Sequence, residues 1–373
     1  QMLTASYRNS AEVTVVANDI LRLKNLRFGS IDRESNQLMV AIGGAKGTVA
    51  SFAAGSKAVR DLNERSSRST QAAVIVLRDE HKAEARRHFK TPLLFSIREV
   101  KGLEYETIIL YRLIASERQI YADLAGGVTR DQLAIDELSY RRARDKSDKS
   151  LELTKFFVNA LYVAVTRAVR DVILIEDDTR HPLLRLLDVA QAQDAGGIET
   201  RRASAREWQR EAQRLQAQGK HDQAESIRRD VLKLVPVPWK VFDAERLPRL
   251  MAEAVDPGTV ATKLRRQMLE FAYFHDEDVT VGVLEEAIGL GAVADYGQDR
   301  PKATKVAVQR SLGKGHASIL RDTERYGVDH RVQVGLTPLM LAAYTGDVAL
   351  VEALCDRGAD RTVRDHLGRQ AIS

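Results

Sequence analysis

The chain has 373 residues, 44% hydrophobic and 29% charged, with a net charge of +5 and a sequence pI of about 9.2. That length is enough for two or three domains, and no apolar run reaches the roughly 18 residues of a membrane span. The single cysteine, Cys355, excludes an intramolecular disulfide and points to a reducing, cytoplasmic setting.

The mild basicity permits nucleic-acid binding without requiring it. Eight histidines and one cysteine give no metal-ligand spacing. The first residues turn polar too soon for a signal peptide. The chain opens at Gln1 inside a motif, so the expectation is a fragment of a longer protein.

A helix is expected from Ala11 to Leu26, with Val13, Val16, Ala17, Ile20 and Leu21 on one side and Ser10 or Asn9 as its N-cap. Tyr7 and Arg8 then sit at a loop-to-helix junction. There a phosphate can meet both a guanidinium and free backbone N–H groups. A surface arginine beside a cap is the alternative.

Strand and helix signals alternate over 37–60 and 71–98. Gln37–Ile42 is a short strand. Ala72–Leu77 is a continuous apolar run of the kind found in buried parallel strands. Glu80–Phe89 is a charged surface helix, and Leu93–Ile97 and Thr107–Tyr111 are strands. The alternation predicts a parallel sheet covered on both faces. Gly43-Gly-Ala-Lys-Gly-Thr48 is not a P-loop, because Lys46 is followed by glycine where that motif needs Ser or Thr. A loop joining two strands is expected instead.

Ser96-Ile-Arg-Glu-Val-Lys-Gly-Leu-Glu104 leaves one strand, makes a glycine turn and enters another. Such a turn at the carboxyl end of a parallel strand is a ligand-binding position. It is equally a plain connection with Gly102 at positive φ. Glu117–Ser150 is polar and includes Arg141-Arg-Ala-Arg-Asp-Lys146. That run is either a basic face along a phosphate backbone or a solvated loop.

In Leu161-Tyr-Val-Ala-Val-Thr-Arg-Ala168, apolar residues Phe157, Leu161, Ala164, Val165 and Ala168 recur at helical spacing. Arg167 is expected at the edge of that helix face, followed by the strand Val172–Glu176. An arginine on a packed helix holds a permanent charge at a fixed point. An ordinary surface arginine is the bland alternative.

Taken together, three stretches resemble motifs of UvrD/Rep-type superfamily 1 helicases, in the family's order. Leu3 through Tyr7-Arg8-Asn9-Ser10 resembles the fourth motif, with Asn9 where serine is usual. Ser96 to Glu104 resembles the fifth, with Ser96 for threonine and Arg98 for histidine. Leu161–Ala168 resembles the arginine-bearing last motif. The resemblance covers about residues 1–180 and implies the second of two RecA-like lobes, with ATP bound in the cleft between them. It further implies that Arg8 and Arg167 are catalytic arginines on the γ-phosphate. Tyr7, Gly102 and Glu104 would help hold the nucleotide, with Glu104 on the sugar. Ser96, Arg98 and Lys101 would face single-stranded DNA, or RNA. The P-loop and the carboxylates for magnesium belong to the first lobe. The implied partners are therefore that lobe, a nucleic-acid strand and ATP, and such a lobe alone neither hydrolyses ATP nor unwinds DNA.

The pattern changes near residue 200. Trp208, Ala212, Leu215, Gly219, Ala224 and Pro236 match tetratricopeptide positions, which predicts a helical hairpin over 201–238 turning at Gly219–Asp222. A helical connector is expected over 239–300, with Met268, Leu269, Phe271, Ala272 and Phe274 as core. Gly335-Leu-Thr-Pro-Leu-Met-Leu-Ala-Ala-Tyr-Thr-Gly346 resembles an ankyrin repeat, with Thr337 as cap and Met340 in place of the usual histidine. Gly315 and Gly327 echo Gly346 and Gly358, and Asp365–Gly368 resembles the start of a further repeat. Ankyrin repeats are thus expected over 301–373, and the resemblance implies a protein partner. The expected fold is α/β over 1–200, a parallel RecA-like sheet covered by helices, followed by an all-α half. Two functions remain open. One is a helicase or translocase lobe with a docking module. The other is a silent lobe that acts only as a scaffold.

Overall fold

The computed structural model describes residues 5–6, 8–29, 38–41, 46–134, 149–195, 200–256, 262–275, 277–288, 315–332 and 334–371. The chain divides into two compact units. One comprises 1–211 with 217–224, the other 212–216 with 225–373, so the division runs through the predicted hairpin.

The first unit is built on parallel strands. Its elements in order are β1 (Ala5–Ser6), α1 (Ala11–Phe28), β2 (Val40–Ala41), β3 (Thr48–Ala53), α2 (Lys57–Ser67) and β4 (Ala72–Val76). Then come α3 (Lys82–His88), β5 (Leu94–Ser96), β6 (Tyr105–Tyr111), α4 (Arg118–Ala125), α5 (Arg130–Leu133) and α6 (Lys149–Val165). The unit closes with β7 (Ala168–Glu176), α7 (Pro182–Leu186) and β8 (Ala190–Gln191). Six strands form one sheet in the order β5-β4-β6-β7-β3-β8, and every pair is parallel. β1 and β2 make a separate two-residue parallel pair.

All five residues of β4 are buried, because a central parallel strand has helices on both faces. Val74, Val76, Ile109, Ile173 and Ile175 form one core layer with Ala58, Val59 and Leu62 of α2 and Ala85 of α3. On the other side α1 packs against α6 and α4, and α6 lies against β6 and β7. Tyr121 and Phe157 are fully buried there, their rings edge to face at 6.1 Å.

Among the described residues the expected elements are present, with three differences, and the basic run Arg141–Lys146 lies outside the described residues. The strand expected over 37–42 is confined to Val40–Ala41 among the described residues. The surface helix opens with a 3-10 turn at Asp79–His81 before α3. Most consequentially, α6 stops at Val165, so Arg167 lies in the turn between helix and strand, not on the helix face. Ala168 already belongs to β7, because its neighbours are drawn into pairing with β6 and β3.

The predicted hairpin consists of α8 (Ala205–Ala217) and α9 (His221–Ser226), which continues as a π turn to Val231. Gly219 joins them at φ 72°. Trp208, Ala212, Leu215 and Ala224 are buried, whereas Pro236 is exposed. In the second unit, helices Leu247–Val255, Thr262–His275 and Asp278–Ile288 enclose a core that includes Phe242, Met268, Leu269, Phe271 and Leu284. Phe274 is buried too, in a second cluster with Leu336 and Met340. Helices His316–Tyr326, Pro338–Tyr344 and Val348–Asp356 complete it. Among the described residues no helix is long and apolar enough to cross a membrane.

Candidate functional site

The start of α1 is stitched onto the start of β7. Ser10 caps the helix by accepting from Val13 N at 3.3 Å. Its backbone N–H donates to the Val169 carbonyl at 2.8 Å, and its hydroxyl donates to the Arg170 carbonyl at 2.9 Å. The buried Asn9 amide donates to the Ala168 carbonyl at 2.6 Å and to that of Thr166 at 3.4 Å. Arg8, one residue earlier, is thereby placed beside the turn that carries Arg167.

That turn is itself braced. The Thr166 hydroxyl donates back to the Tyr162 carbonyl at 2.9 Å. Arg167 Nε donates to the Val163 carbonyl at 3.2 Å, and a terminal nitrogen lies 3.4 Å from the Leu103 carbonyl. A cation at a helix C-terminus meets unsatisfied carbonyls and the negative end of the helix dipole. The Arg167 carbonyl in turn accepts from Tyr105 N at 3.1 Å, which ties it to the first residue of β6.

The loop 97–104 supplies the third wall. Val100 and Leu103 are fully buried and anchor it. Gly102 turns the chain at φ 85° in open space, so its need for glycine is conformational. Glu104 emerges just before β6 and forms an ion pair with Arg8. The Arg8 side chain remains about half exposed. Burial holds the Arg167 pKa below its usual value, Glu104 raises it and Arg8 lowers it further. Two guanidiniums and one carboxylate therefore share a small region, and one positive charge is left over. Such a region attracts an anion.

This convergence lies at the amino ends of β6 and β7. The turn was expected at the carboxyl end of a strand. The loop does leave the carboxyl end of β5 at Ser96, but it delivers Gly102 and Glu104 to the opposite edge of the sheet. The expected residues therefore fall into two groups. Arg8, Gly102, Glu104 and Arg167 gather at the amino edge, while Ser96 and Arg98 stay near the end of β5.

Ser96 is 1% exposed. Its backbone N–H donates to Glu99 at 2.9 Å, and its hydroxyl lies 3.4 Å from the same oxygen. The Lys82 ammonium binds that carboxylate at 2.5 Å and Asp79 at 3.0 Å. The Ser96 hydroxyl, then Lys82 and Arg98, hold Asp79 below the usual carboxylate range. Ser96 is thus enclosed in a polar network and does not present its hydroxyl to a strand. Arg98 and Lys101 are exposed. Tyr7 lies outside the described residues.

Three organising residues were missed in the sequence. Asn9 is readable as a possible cap and as the residue in the place of a motif serine, but not as a tie to β7. Gly47 lies in the rejected glycine-rich stretch, and its hydrogens leave just enough room for the Arg170 carbonyl and the Ser10 hydroxyl. Its N–H donates to Glu12 at 2.9 Å. Asp171 is buried in β7 and accepts from Thr48 N at 3.0 Å, the Thr107 hydroxyl at 3.2 Å and Arg170 Nε at 2.9 Å. It binds the amino ends of three strands together. The one available signal was a carboxylate at the head of an apolar strand.

In the second unit, Thr337 caps its helix by accepting from Met340 N at 3.2 Å, with Pro338 in the first turn. The turn before it recurs 33 residues later. Val332 N donates to the Leu336 carbonyl at 2.8 Å, and Asp365 N to that of Arg369 at 3.0 Å. Arg331 reaches the Gly335 carbonyl at 2.6 Å, and Arg364 that of Gly368 at 2.7 Å. The ankyrin-repeat family model matches residues 334–366. Residues 334–366 are an ankyrin repeat.

No curated protein matches the sequence. A solved structure described as the C-terminal domain of a possible DNA helicase from Lactobacillus plantarum WCFS1 is similar at 15% identity and a TM-score of 0.27. The match covers 50% of this chain and 98% of that one. At that score it bears on neither mechanism nor substrate.

Proposed function

We propose that the first unit is the second motor lobe of a superfamily 1 helicase or translocase, and that the ankyrin repeat docks a protein partner. What supports the reading is the convergence of Arg8, Arg167 and Glu104, from three separate segments, on one edge of a parallel sheet. Glu104 holds Arg8 in waiting, and a triphosphate takes over that guanidinium when a P-loop lobe closes on this edge. The two arginines then offset the charge that spreads over the γ-phosphoryl oxygens. Arginine fingers of this kind are worth about 10³ to 10⁵ in rate. The P-loop lobe carries the magnesium. Arg98 and Lys101 contribute phosphate contacts to the strand, and the buried Ser96 positions their loop through Glu99 and Asp79.

The test is DNA-stimulated ATP hydrolysis by the intact protein carrying Arg167→Ala. A fall of at least about 10³-fold with the fold retained is expected. Unchanged turnover supports the scaffold reading instead.

A further inference from the structure

The second unit contains a cluster that the proposed motor reading does not use. His275 ends the helix Thr262–His275, and Asp365 and His366 are the last two residues of the ankyrin repeat. One ligand-capable atom from each lies within 4.8 Å of the others. The sequence separates His275 from the other two by 90 residues or more, so no motif spacing reveals them.

The hydrogen bonds decide which nitrogens keep a lone pair. His275 Nε2 lies 2.9 Å from the Val334 carbonyl, which can only accept, so Nε2 carries the proton. Its Nδ1 then keeps a lone pair and accepts from Arg369 at 2.8 Å. His366 Nε2 is paired with the Glu277 carboxylate. Its Nδ1 is buried with no hydrogen-bond partner among the described residues, in a side chain only 4% exposed. Phe271 flanks both rings, at 4.5 Å and 4.6 Å between centroids.

Each imidazole therefore has one nitrogen fixed by a carbonyl or carboxylate and a second whose lone pair can serve as a ligand. That arrangement orients metal-binding histidines and sets their tautomer. A buried imidazole nitrogen without a partner costs free energy unless something binds it. We propose that His275, Asp365 and His366 form a site for a divalent transition metal of the zinc class. Two imidazole nitrogens and one carboxylate oxygen suit such an ion, with a fourth position for water. Arg369 is the resident cation. It bridges His275 Nδ1 and Asp365, the latter at 2.7 Å. Its side chain is 55% exposed, so it can swing into solvent as the metal enters. The loaded ion clips the helix to the end of the repeat and makes the order of that end depend on metal.

The experiment is a titration of the full chain with Co²⁺, followed by the visible absorption of tetrahedral cobalt, for wild type, Arg369→Ala and His366→Gln. Metal-free thermal melts establish that each variant is folded. One equivalent is expected to bind wild type. Arg369→Ala is expected to bind about tenfold tighter or more, because a fixed positive charge no longer opposes the ion. His366→Gln is expected to lose the band. Absence of the band in both wild type and Arg369→Ala overturns the site, as does an equal band in folded His366→Gln. Should His366→Gln not fold, the Arg369→Ala titration decides: tighter binding supports the site, and equal or weaker binding overturns it.

Discussion

The side-chain amide of Asn9 donates to the main-chain carbonyl of Ala168 at 2.6 Å. With its second bond, to the Thr166 carbonyl, this amide joins the segment carrying Arg8 to the turn carrying Arg167. Neither arginine holds the other in place, since like charges repel. The uncharged amide and the Ser10 backbone do so, by extending the edge of β7.

Asn9→Ala removes that donor and leaves two buried carbonyls short of a partner. The expected loss is about 1–3 kcal/mol, visible as a fall of about 2–12 °C in the thermal midpoint. Asn9→Asp is expected to be worse than Ala, because a carboxylate would face two carbonyls. Should Asp match wild type in calorimetry, the amide is not the link.

Gly47→Ala tests the same joint from the other side. An added Cβ would stand 2.1 Å from both the Arg170 carbonyl and the Ser10 hydroxyl. Backbone cannot yield as a side chain can, so a destabilisation of about 1–3 kcal/mol or more is expected. At Gly102 the space is open and the φ of 85° sets the cost, so Gly102→Ala should lose only about 1 kcal/mol. Urea denaturation of the two variants should rank Gly47→Ala as the less stable. The reverse order would remove close approach as the reason for Gly47.

Glu176, at the far end of β7, gives a pH signature. Burial pushes its carboxyl from the ordinary 4.5 to about 8, against two backbone donors, Ile114 N and Ala115 N. Between those values the folded chain holds a proton that the unfolded chain has lost. Its contribution to stability is therefore complete below about pH 4.5 and disappears as pH rises through about 8. Denaturation midpoints across that interval should fall with pH in wild type. They should flatten in Glu176→Gln, which cannot ionise. An unaltered slope in the variant would mean that the decline has another source.

Much of the first unit was legible in sequence. The apolar runs at Ala72–Val76 and Val172–Glu176 announce buried parallel strands, because a strand covered on both faces cannot alternate. Ser10 was readable as a cap, and the ankyrin signature was readable from Thr337-Pro338 and its glycines. The end of α6 was not. Helical spacing carries Phe157 to Ala168 without a break, and only pairing with β6 and β3 pulls Ala168 into a strand and Arg167 into the turn. The enclosure of Ser96 was equally hidden, since Lys82 and Asp79 join the network from another segment while Glu99 folds back on Ser96 from the same loop.

The sequence by itself determined the elements, because backbone preference and the period of apolar residues are local properties. It also determined which side chains carry charge. Only the tertiary structure decided which of them meet. The approach of Arg8 to Arg167, the use of Gly47 as a spacer and the pairing of His275 with His366 depend on long loops closing to distances of a few ångströms. Such closures are selected by the packing of the whole core and leave no periodic trace along the chain.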